Sequence, residues 1–409
     1  MPGLFQINVS ANWGSHGRIA ECIGKEVMAH GWSSCIAYGR GMNPSRSDLI
    51  KIGNGMDVYL HVAQCRLFDN HGLASRSATR RLIRTLEEMA PDIIHLHNIH
   101  GYYLNYRLLF QYLGEIHKPV VWTFHDSWPI TGHCAFPDVV HCERWKDHCS
   151  SPCPLKKDYP CSWLRDGSRR NFEIKKSVFN QVEDLHIVTV SKWLESQVRA
   201  SFLKGHDIRC IYNGVDTSAF RPGFDTAELR EKHRIKSGEK VVLGVASVWE
   251  NRKGLKDFCR LREMLPEDYR ILLIGLDVKQ AKGFPVGVEA VGRTDSQGEL
   301  AAYYNLADVY VNPSLAESFG MTTAEALSCG TPAVVYDVTA CPEVVDERTG
   351  KVIQYGDTRA MASAIQGLCE SPDKDIMGAA CRKRAVDAFD AQERYREYFE
   401  LYKSLLGSR

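Results

Sequence analysis

The sequence predicts an α/β protein built from two doubly wound halves. Short apolar runs alternate with amphipathic segments along most of the 409 residues, and this pattern starts again near the middle of the chain. Strands that alternate with helices form right-handed βαβ units, and such units place their strands in a parallel sheet. A chain of this length exceeds one ordinary hydrophobic core, so two domains are expected.

The apolar runs define the predicted buried strands. In the first half they are residues 4–9, 34–38, 93–96, 120–124 and 187–190. In the second half they are residues 241–246, 270–274, 309–312, 333–336 and 351–354. Gly205, Asn213-Gly214 and Pro222 punctuate the chain, which predicts the domain boundary near residues 201–220. We therefore expect an N-terminal domain of residues 1–205, a C-terminal domain of residues 206–390, and a final helix, residues 391–409, that crosses back to the first domain.

The bulk composition describes a globular protein. Hydrophobic residues make up 44% and charged residues 25% of the chain, and the formal net charge is +1. This balance provides no strong field for binding nucleic acid. No apolar run approaches the length of a transmembrane helix, and the N-terminus reads directly as a strand without an export signal. Fourteen cysteines in such a chain suggest reduced thiols, so a cytoplasmic location is expected.

The segment from residue 311 to residue 337 carries the clearest functional pattern. A tight turn at Phe319 and Gly320 opens a predicted helix over residues 321–328, and Gly330 ends it. The free N–H groups at the start of a helix attract anions. Glu317 precedes this helix and Glu325 lies about one turn inside it. A phosphate between two hydroxyl-binding carboxylates is typical of a nucleotide-sugar site, whereas the alternative is a capped surface helix with two solvated acids.

Two further loops follow predicted strands and have the composition of phosphate-binding turns. Arg252 and Lys253 follow the first strand of the second half, where a diphosphate would lie. Gly14 and Gly17 follow the opening strand of the chain and would let the backbone approach a phosphate or a sugar. The alternatives are a solvated basic turn and an ordinary strand-to-helix turn.

Histidines follow two strands of the first half. His95 and His97 flank the end of one strand, and His125 and Asp126 close the next. An imidazole beside a carboxylate can polarise a hydroxyl or transfer a proton, although a purely structural role is the alternative. Residues 126–163 then form an irregular, cysteine-rich insertion. Because ligands bind outside the carboxyl ends of strands, this insertion is placed to shape a substrate site.

Two clusters in the first half have weaker interpretations. Cys134, Cys142, Cys149 and Cys153 could supply four thiolates to a structural zinc ion, but their spacing is looser than that of paired C-x2-C ligands. Buried free thiols or disulfides are the alternatives. Separately, three arginines recur every four residues and would form one basic stripe on a helix: Arg76, Arg80 and Arg84. Such a stripe could touch an anionic membrane or an acceptor diphosphate, and a solvated helix face is the alternative.

Taken together, these motifs resemble those of the retaining GT-B glycosyltransferases of family 4, also called glycosyl transferases group 1. The resemblance spans nearly the whole chain. Its strongest part is the pair Glu317 and Glu325 followed by A-L-S-C-G-T-P, and its supporting parts are residues 211–216, 252–254 and 14–17. The insertion resembles a subgroup that acts in the synthesis of bacterial surface polysaccharides.

The resemblance implies a GT-B fold, with two facing Rossmann-like domains and a cleft between them. It implies a hexosyltransferase that moves a sugar from a nucleotide-diphosphate sugar to a hydroxyl of a glycan or lipid-linked glycan. The enzyme would be cytoplasmic, with peripheral contact at the anionic inner face of the plasma membrane. No cofactor is expected for catalysis, and no nucleic acid partner. The alternatives are a nucleotide-sugar epimerase or phosphorylase-like enzyme of the same fold, and a non-catalytic nucleotide-sugar-binding protein.

The resemblance also implies roles for individual residues. Glu317, His125 and Lys253 would be catalytic: Glu317 beside the donor sugar, Lys253 on the diphosphate and His125 near the sugar. Glu325 would bind the ribose hydroxyls. The remaining donor-binding positions would be Gly14, Ser247, Arg252, Arg293, Phe319, Gly320 and Met321, and the acceptor-binding positions would be His97 and Asp126. Ser247 and Val248 stand where the family often has a Gly-Arg pair. The resemblance therefore does not say which residue binds the second charged phosphate, and Arg252 is the nearest candidate.

Overall fold

The computed structural model describes residues 1–276 and 283–407. The chain forms two compact units. The first contains Met1–Ile211 and the C-terminal stretch from Arg394, and the second contains Tyr212–Glu393. The division lies six residues beyond the position expected from the sequence (211 against 205), because the last strand of the first sheet is itself at Asp207–Cys210.

The first unit contains a seven-stranded parallel sheet with the order β3-β2-β1-β4-β5-β6-β7. Its strands are β1 (Gly3–Asn8), β2 (Ser33–Tyr38), β3 (Asp48–Lys51), β4 (Ile93–Leu96), β5 (Val120–Phe124), β6 (Leu185–Thr189) and β7 (Asp207–Cys210). The strand order reverses between β1 and β4. In a doubly wound sheet this is the switch point, and ligands bind at the carboxyl ends of the strands that flank it.

Helices cover the first sheet, and their apolar sides form the core. They are α1 (Gly14–Ala29), α2 (Gly55–Phe68), α3 (Arg76–Met89), α4 (Tyr106–Glu115), α5 (Ser168–Phe179) and α6 (Lys192–Arg199). Three large rings meet between the central strand β5 and helices α4 and α5. The ring centre of Phe179 lies 4.4 Å from that of Phe110 and 4.9 Å from that of Trp122. The core therefore fixes the strand whose end carries His125.

The second unit contains a six-stranded parallel sheet with the order β10-β9-β8-β11-β12-β13. Its strands are β8 (Lys240–Val245), β9 (Tyr269–Ile274), β10 (Val288–Val291), β11 (Val309–Asn312), β12 (Ala333–Tyr336) and β13 (Gly350–Ile353). Here the order reverses between β8 and β11. The segments that follow these two strands therefore lie next to each other at the switch point of the second sheet.

The helices of the second unit complete a second doubly wound layer structure. They are α7 (Ala227–Lys232), α8 (Leu255–Met264), α9 (Gln297–Leu306), α10 (Met321–Ser328), α11 (Cys341–Val344), α12 (Thr358–Cys369) and α13 (Lys374–Phe389). Trp249 is buried against Phe258 of α8, and its indole N–H donates to the carbonyl of Ile274. The predicted α/β class with two doubly wound sheets is confirmed.

The final helix, α14 (Ala391–Gly407), enters the first unit. Its Tyr402 hydroxyl lies 2.6 Å from Nδ1 of His95, and its Phe399 ring stacks on His30 with the ring centres 4.0 Å apart. Thr123 donates to the Tyr398 hydroxyl at 3.2 Å. The C-terminus thus contributes aromatic core and polar contacts to the unit formed by the N-terminal half.

The segment expected to be an irregular insertion contains only short 3-10 turns before α5 begins at Ser168. These turns are Trp128–Ile130, Pro137–Val140 and Arg144–Lys146. Frequent prolines remove backbone donors and prevent longer helices here.

Within residues 1–276 and 283–407, no helix combines the length and apolar character that a membrane span requires.

Candidate functional site

Two loops lie side by side at the carboxyl edge of the second sheet, one after β8 and one after β11. Gly254 has φ of +70°, and a Cβ atom there would collide with the carbonyl oxygen of Pro313. The backbone N–H of Leu315 donates to the carbonyl of Arg252 at 2.7 Å. Only glycine allows this close approach without strain. The two loops are therefore locked together, which fixes the side chains that they carry.

An ion pair joins these two loops. Nζ of Lys253 lies 2.5 Å from Oε1 of Glu317, and both side chains are largely buried, with 20% and 13% exposed. The backbone N–H of Glu317 donates to the hydroxyl of Thr339 in the loop after β12. Glu317 is thus held by groups that follow three neighbouring strands, the carboxylate by Lys253 and the backbone by Thr339. Both residues were predicted from the sequence, and the structure brings them together.

A polar chain links the Glu317 carboxylate to the first turn of α10. The Ser314 hydroxyl lies 2.9 Å from Oε1 of Glu317 and 2.6 Å from Oδ1 of Asn312. Nδ2 of Asn312 donates to the Thr323 hydroxyl at 3.1 Å. Asn312, Ser314 and Thr323 are all buried. These supporting residues were missed by sequence reasoning, because small polar side chains near a strand end have no distinctive pattern.

The surroundings keep Glu317 ionised. Burial alone would raise the pKa of its carboxyl, but the nearby charges of Lys253 and Arg252 and the hydrogen bonds from Lys253 and Ser314 outweigh it and hold the pKa below its ordinary value. A carboxylate beside a cation is therefore present at neutral pH. Such a pair offers negative charge toward one part of a ligand and positive charge toward another.

Helix α10 begins where the sequence predicted. Gly320 has φ of +104°, and its carbonyl accepts from the N–H groups of Thr323 and Ala324 at 3.0 and 3.1 Å. Phe319 is buried, with its ring centre 5.3 Å from that of Phe389. The phenyl ring therefore anchors the turn in the core. The turn therefore exposes its backbone and not the Phe319 ring. The backbone N–H groups of a first helical turn bind anions favourably.

Glu325 lies on α10, one turn inside the helix. Its Oε2 accepts a hydrogen bond of 3.0 Å from the hydroxyl of Tyr304, which is buried in α9. Burial and the charge of Glu325 raise the pKa of Tyr304, so this phenol stays protonated and donates. Tyr304 was not predicted from the sequence, since it comes from a different helix. It fixes the orientation of a carboxylate that is itself half-buried.

Two arginines hold the loops of this edge. Nη1 of Arg252 donates to the carbonyl of Ala316 at 3.1 Å, and its Nε donates to Glu250. Arg293 follows β10, is exposed, and donates from Nη2 to the carbonyl of Ser247 at 3.0 Å. Arg252 therefore clamps the loop that carries Glu317. Arg293 lies beside Ser247, the position where the family resemblance leads one to expect an arginine.

In the first unit the loop after β1 turns sharply into α1. Asn12 has φ of +47° and Gly14 has φ of +68°. The Ser10 hydroxyl donates to the carbonyl of Trp13 at 2.7 Å. A Cβ atom at Gly14 would meet no atom within 4 Å. Gly14 is thus required for its backbone angle, and the space in front of it is open within this unit.

A chain of hydrogen bonds runs from Gln6 through His97 to His125. Nε2 of Gln6 donates to the carbonyl of Ala20 at 2.8 Å, which leaves its Oε1 facing Nε2 of His97 at 3.0 Å. An amide oxygen can only accept, so His97 carries its proton on Nε2. Nδ1 of His97 lies 3.2 Å from Nε2 of His125. A neutral His97 accepts there, so His125 must donate from Nε2.

Both imidazoles in this chain are neutral. Burial lowers the pKa of His97 and of His125, and the neighbouring histidines lower each further. With Nε2 of His125 committed as a donor, its Nδ1 has no proton. His125 is half-buried at the strand end, whereas His97 is 1% exposed. His125 thus offers a hydrogen-bond acceptor to a ligand, and His97 lies behind it as its support.

Asp126 belongs to a separate buried network. Its Oδ2 lies 3.0 Å from Nε2 of His100, and Nδ1 of His100 lies 2.8 Å from the Tyr159 hydroxyl. Its Oδ1 accepts from the N–H of Trp128. Burial alone would raise the pKa of Asp126, but His100 and the bonded N–H hold it below its ordinary value. His97 and Asp126, the two predicted acceptor-binding residues, are both buried and hydrogen-bonded to protein groups, and their contact with an acceptor stays a prediction.

The four cysteines predicted to bind zinc lie near one another as free thiols: Cys134, Cys142, Cys149 and Cys153. The N–H of Gly132 donates to Sγ of Cys149 at 3.1 Å. A hydrogen bond between Cys134 and Cys153 raises the pKa of the Cys134 thiol and lowers that of the Cys153 thiol. Across the described residues, no three His, Cys, Asp or Glu side chains are arranged to hold a metal ion. Zinc binding by these cysteines stays a prediction, which metal analysis of the purified protein tests directly.

Two family models match the chain. The model described as Glycosyltransferase Family 4 matches residues 24–219, and the model described as Glycosyl transferases group 1 matches residues 239–371. The first match lies largely in the first unit. The second match includes both loops that carry Lys253 and Glu317.

Similar proteins have glycosyltransferase names. The chain is 25% identical over 418 residues to the putative colanic acid biosynthesis glycosyl transferase WcaC of Escherichia coli K12, covering 98% of this chain and 100% of that protein. Among solved structures, sucrose-phosphate synthase from Thermosynechococcus elongatus matches with a TM-score of 0.75 and 19% identity, covering 100% of both chains. Anabaena HepE in complex with UDP matches with a TM-score of 0.68 and 15% identity, covering 99% of this chain and 100% of that one.

Three observations indicate the same family: the two doubly wound sheets, the paired loops at the second switch point and the two family matches. The chain belongs to the family 4 glycosyltransferases of the GT-B fold, and it is a glycosyltransferase.

Proposed function

We propose that this enzyme transfers a sugar, with retention at C1, from a nucleotide-diphosphate sugar to a hydroxyl of a glycan or lipid-linked glycan. The observation that carries the proposal is the Lys253–Glu317 ion pair beside the start of α10. It combines a cation, an ionised carboxylate and free helix N–H groups in one place. A nucleotide sugar needs all three, because it has an anionic diphosphate next to a hydroxyl-rich ring.

The donor is assigned to the second unit. Its diphosphate lies against the first turn of α10 and Lys253, with Arg293 as the further cation. Its ribose hydroxyls donate to Glu325, whose carboxylate is oriented by Tyr304. Its sugar hydroxyls meet Glu317. Uridine donors are the first to examine, since Anabaena HepE was solved in complex with UDP and with UDP-glucose.

Breaking the donor's glycosidic bond develops charge of both signs, and the proposed site has groups of opposite charge to stabilise each. As the bond from C1 to the diphosphate oxygen breaks, negative charge grows on the leaving group and positive charge grows at C1. Lys253 and the helix N–H groups stabilise the first, and Glu317 stabilises the second. A single preorganised group of this kind contributes about 3 kcal/mol, or roughly 10²-fold in rate. The proton of the incoming hydroxyl passes to the departing phosphate.

The acceptor is assigned to the first unit. His125 offers an unprotonated Nδ1, which can accept a hydrogen bond from a sugar hydroxyl. We place the enzyme in the cytoplasm, in the synthesis of a bacterial polysaccharide. The whole-length similarity to WcaC, named for colanic acid biosynthesis, supports this class of pathway.

A two-stage experiment tests the proposal. Thermal denaturation is measured first with UDP-, GDP-, ADP- and TDP-sugars, since a ligand at about 100 times its Kd stabilises the folded state by about 2.7 kcal/mol. The stabilising donor is then incubated with glycan acceptors, and NMR determines the anomeric configuration of the product. A glycoside with the donor's configuration is expected. An inverted product, an epimerised free nucleotide sugar or phosphate-dependent exchange would overturn the proposal.

A further inference from the structure

Helix α2 exposes an apolar face that surface helices normally lack. Met56 is 64% exposed, Tyr59 70%, Leu60 52% and Leu67 36%. Relative to Met56 these residues are three, four and eleven positions along, so they lie on one side of the helix. The opposite side is buried through His61 and Cys65. Helix α2 therefore has apolar side chains on its solvent-exposed side as well as on its buried side. The exposed ones do not pack in the core of the first unit.

A second segment extends this apolar face. Trp163 and Leu164 are 67% and 68% exposed, although large apolar side chains are normally buried. The N–H of Trp163 donates to the carbonyl of Arg66 at 2.6 Å, and the N–H of Arg165 to that of Leu67 at 3.3 Å. These bonds hold the segment against the C-terminal end of α2. The outward face of α2 together with residues 163–165 is called the α2 surface below.

The α2 surface has a basic border. The guanidinium of Arg66 lies 5.7 Å from the ring centre of Trp163, and that of Arg165 lies 5.5 Å from that of Phe68. Nζ of Lys156 donates to the carbonyl of Leu164 at 3.1 Å, and Lys156 is followed in the chain by the exposed Lys157 and Asp158. Asp57, the acid of α2, pairs with Arg81 of α3 at 3.6 Å.

The Asp57–Arg81 ion pair connects the N-terminal half of α2 to α3. Because Arg81 reaches Asp57, α3 lies beside the N-terminal half of α2. The buried side of α3 consists of Ala78, Thr79, Leu82 and Leu86. Its exposed side carries the three arginines of the predicted stripe, Arg76, Arg80 and Arg84. Arg81 thus lies beside the N-terminal half of α2, and Arg66 and Arg165 border its C-terminal end.

We propose that the α2 surface docks on an anionic lipid bilayer. Exposed Trp, Tyr and aliphatic side chains insert at the boundary between headgroups and acyl chains, and the bordering arginines and lysines contact the lipid phosphates. The charge selects this occupant. A second copy of the chain would bring the same basic border against itself, whereas anionic lipid complements both the charge and the apolar face. The proposal concerns the first unit alone and does not depend on the transfer chemistry.

Vesicle co-sedimentation of the full-length protein tests the apolar part. Phosphatidylcholine vesicles are compared with the same vesicles containing phosphatidylglycerol, without donor or acceptor. Binding is expected with the anionic vesicles and is expected to weaken as salt is added. The paired substitution Trp163→Ser and Leu164→Ser should reduce the partition coefficient about tenfold or more. Ile376→Ser is the matched control, since Ile376 is 70% exposed in the second unit.

Charge reversal tests the basic border. Arg165→Glu should weaken partition about fivefold for each unit of charge changed, because a basic residue near an anionic surface contributes about a factor of five. Arg359→Glu, an exposed arginine of α12, should leave it unchanged. Equal binding by wild type and all variants would overturn the proposal. An absence of binding to the anionic vesicles would overturn it as well, and a dimer in sedimentation velocity that the Trp163 and Leu164 substitutions abolish would then identify a second copy as the occupant.

Discussion

Lys253 and Glu317 meet at 2.5 Å across the two loops that follow β8 and β11, the strands on either side of the second switch point. The pair is built into the protein before any donor arrives. Gly254 and the Leu315–Arg252 backbone bond hold the two loops, so little reorganisation is needed when charge develops. This preorganisation is what makes a fixed charge effective in catalysis.

Removal of the lysine should abolish most of the transfer activity. Lys253→Ala is expected to lower kcat/KM at least ~10²-fold, because the diphosphate loses its cation in the transition state. Glu317→Ala should have an effect of similar size. Lys256→Ala, an exposed lysine of α8, serves as the control. Near-normal turnover in both site variants, with an intact fold by circular dichroism, would remove the assigned roles.

Acid should remove the stabilisation that the ion pair provides. The folded-state pKa of Glu317 is lowered by its surroundings, relative to about 4.3 for a free glutamate. The contribution of its charge is therefore complete above the unfolded value and is lost as the pH falls through the folded value. Urea unfolding of wild type and Glu317→Gln should show a stability difference at pH 7 that shrinks below about pH 4. A constant difference across this range would contradict the shift.

The loop contact at Gly254 should tolerate no side chain. Gly254→Ala places a Cβ against Pro313 at positive φ, so a loss of roughly 1–3 kcal/mol of stability is expected, together with weaker donor binding. Gly367→Ala in α12 is the matched control, because a Cβ there meets no neighbour within 4 Å. That control should be neutral or stabilising. Unfolding curves and UDP titrations measure both effects, and a harmless Gly254→Ala would show that the loops are not locked.

The tyrosine behind Glu325 should tune donor affinity. Tyr304→Phe removes the hydroxyl that orients the ribose-binding carboxylate, and a lost hydrogen bond of about 0.5–1.5 kcal/mol corresponds to roughly 2- to 10-fold in Kd. Calorimetric titration with the nucleotide diphosphate measures this. Tyr303→Phe, whose hydroxyl contacts His233 instead, is the adjacent control. Equal loss of affinity in both variants would point to a general packing effect.

The histidine chain makes a spectroscopic prediction. Long-range ¹H–¹⁵N NMR spectra should show His97 and His125 as neutral Nε2–H tautomers at neutral pH. Gln6→Leu removes the acceptor that fixes His97, so mixed tautomers and a stability loss of about 1–3 kcal/mol are expected. Gln197→Leu, in α6 of the same unit, is the control. A charged His125, or an Nδ1–H tautomer in the wild-type protein, would refute the assigned chain.

The strands that sequence reasoning found and missed differ mainly in their place in the sheet. All ten apolar runs correspond to observed strands, and nine of these are interior strands, whose burial on both sides of a parallel sheet needs continuous apolar sequence. The tenth, β13, is an edge strand, and so are the three described strands that were missed, β3, β7 and β10. An edge strand is partly exposed, so its sequence is polar and short. Asp207–Cys210, for example, reads as a loop.

The candidate site was predicted unevenly for a similar reason. Glu317 and Lys253 follow predicted strand ends and Glu325 lies inside a predicted helix, so local sequence could place them. Tyr304 and Gln6 act on these sites from distant positions in the chain, and only the folded structure brings them there. His97 was correctly placed at a strand end, but its burial depends on packing that the sequence does not display.

The most direct test of the central claim is a crystal structure with the donor bound. The account predicts the diphosphate against the first turn of α10 and Lys253, the ribose on Glu325 and the transferable sugar beside Glu317. A donor bound elsewhere on the second unit, or a diphosphate with no contact to Lys253 and α10, would contradict it.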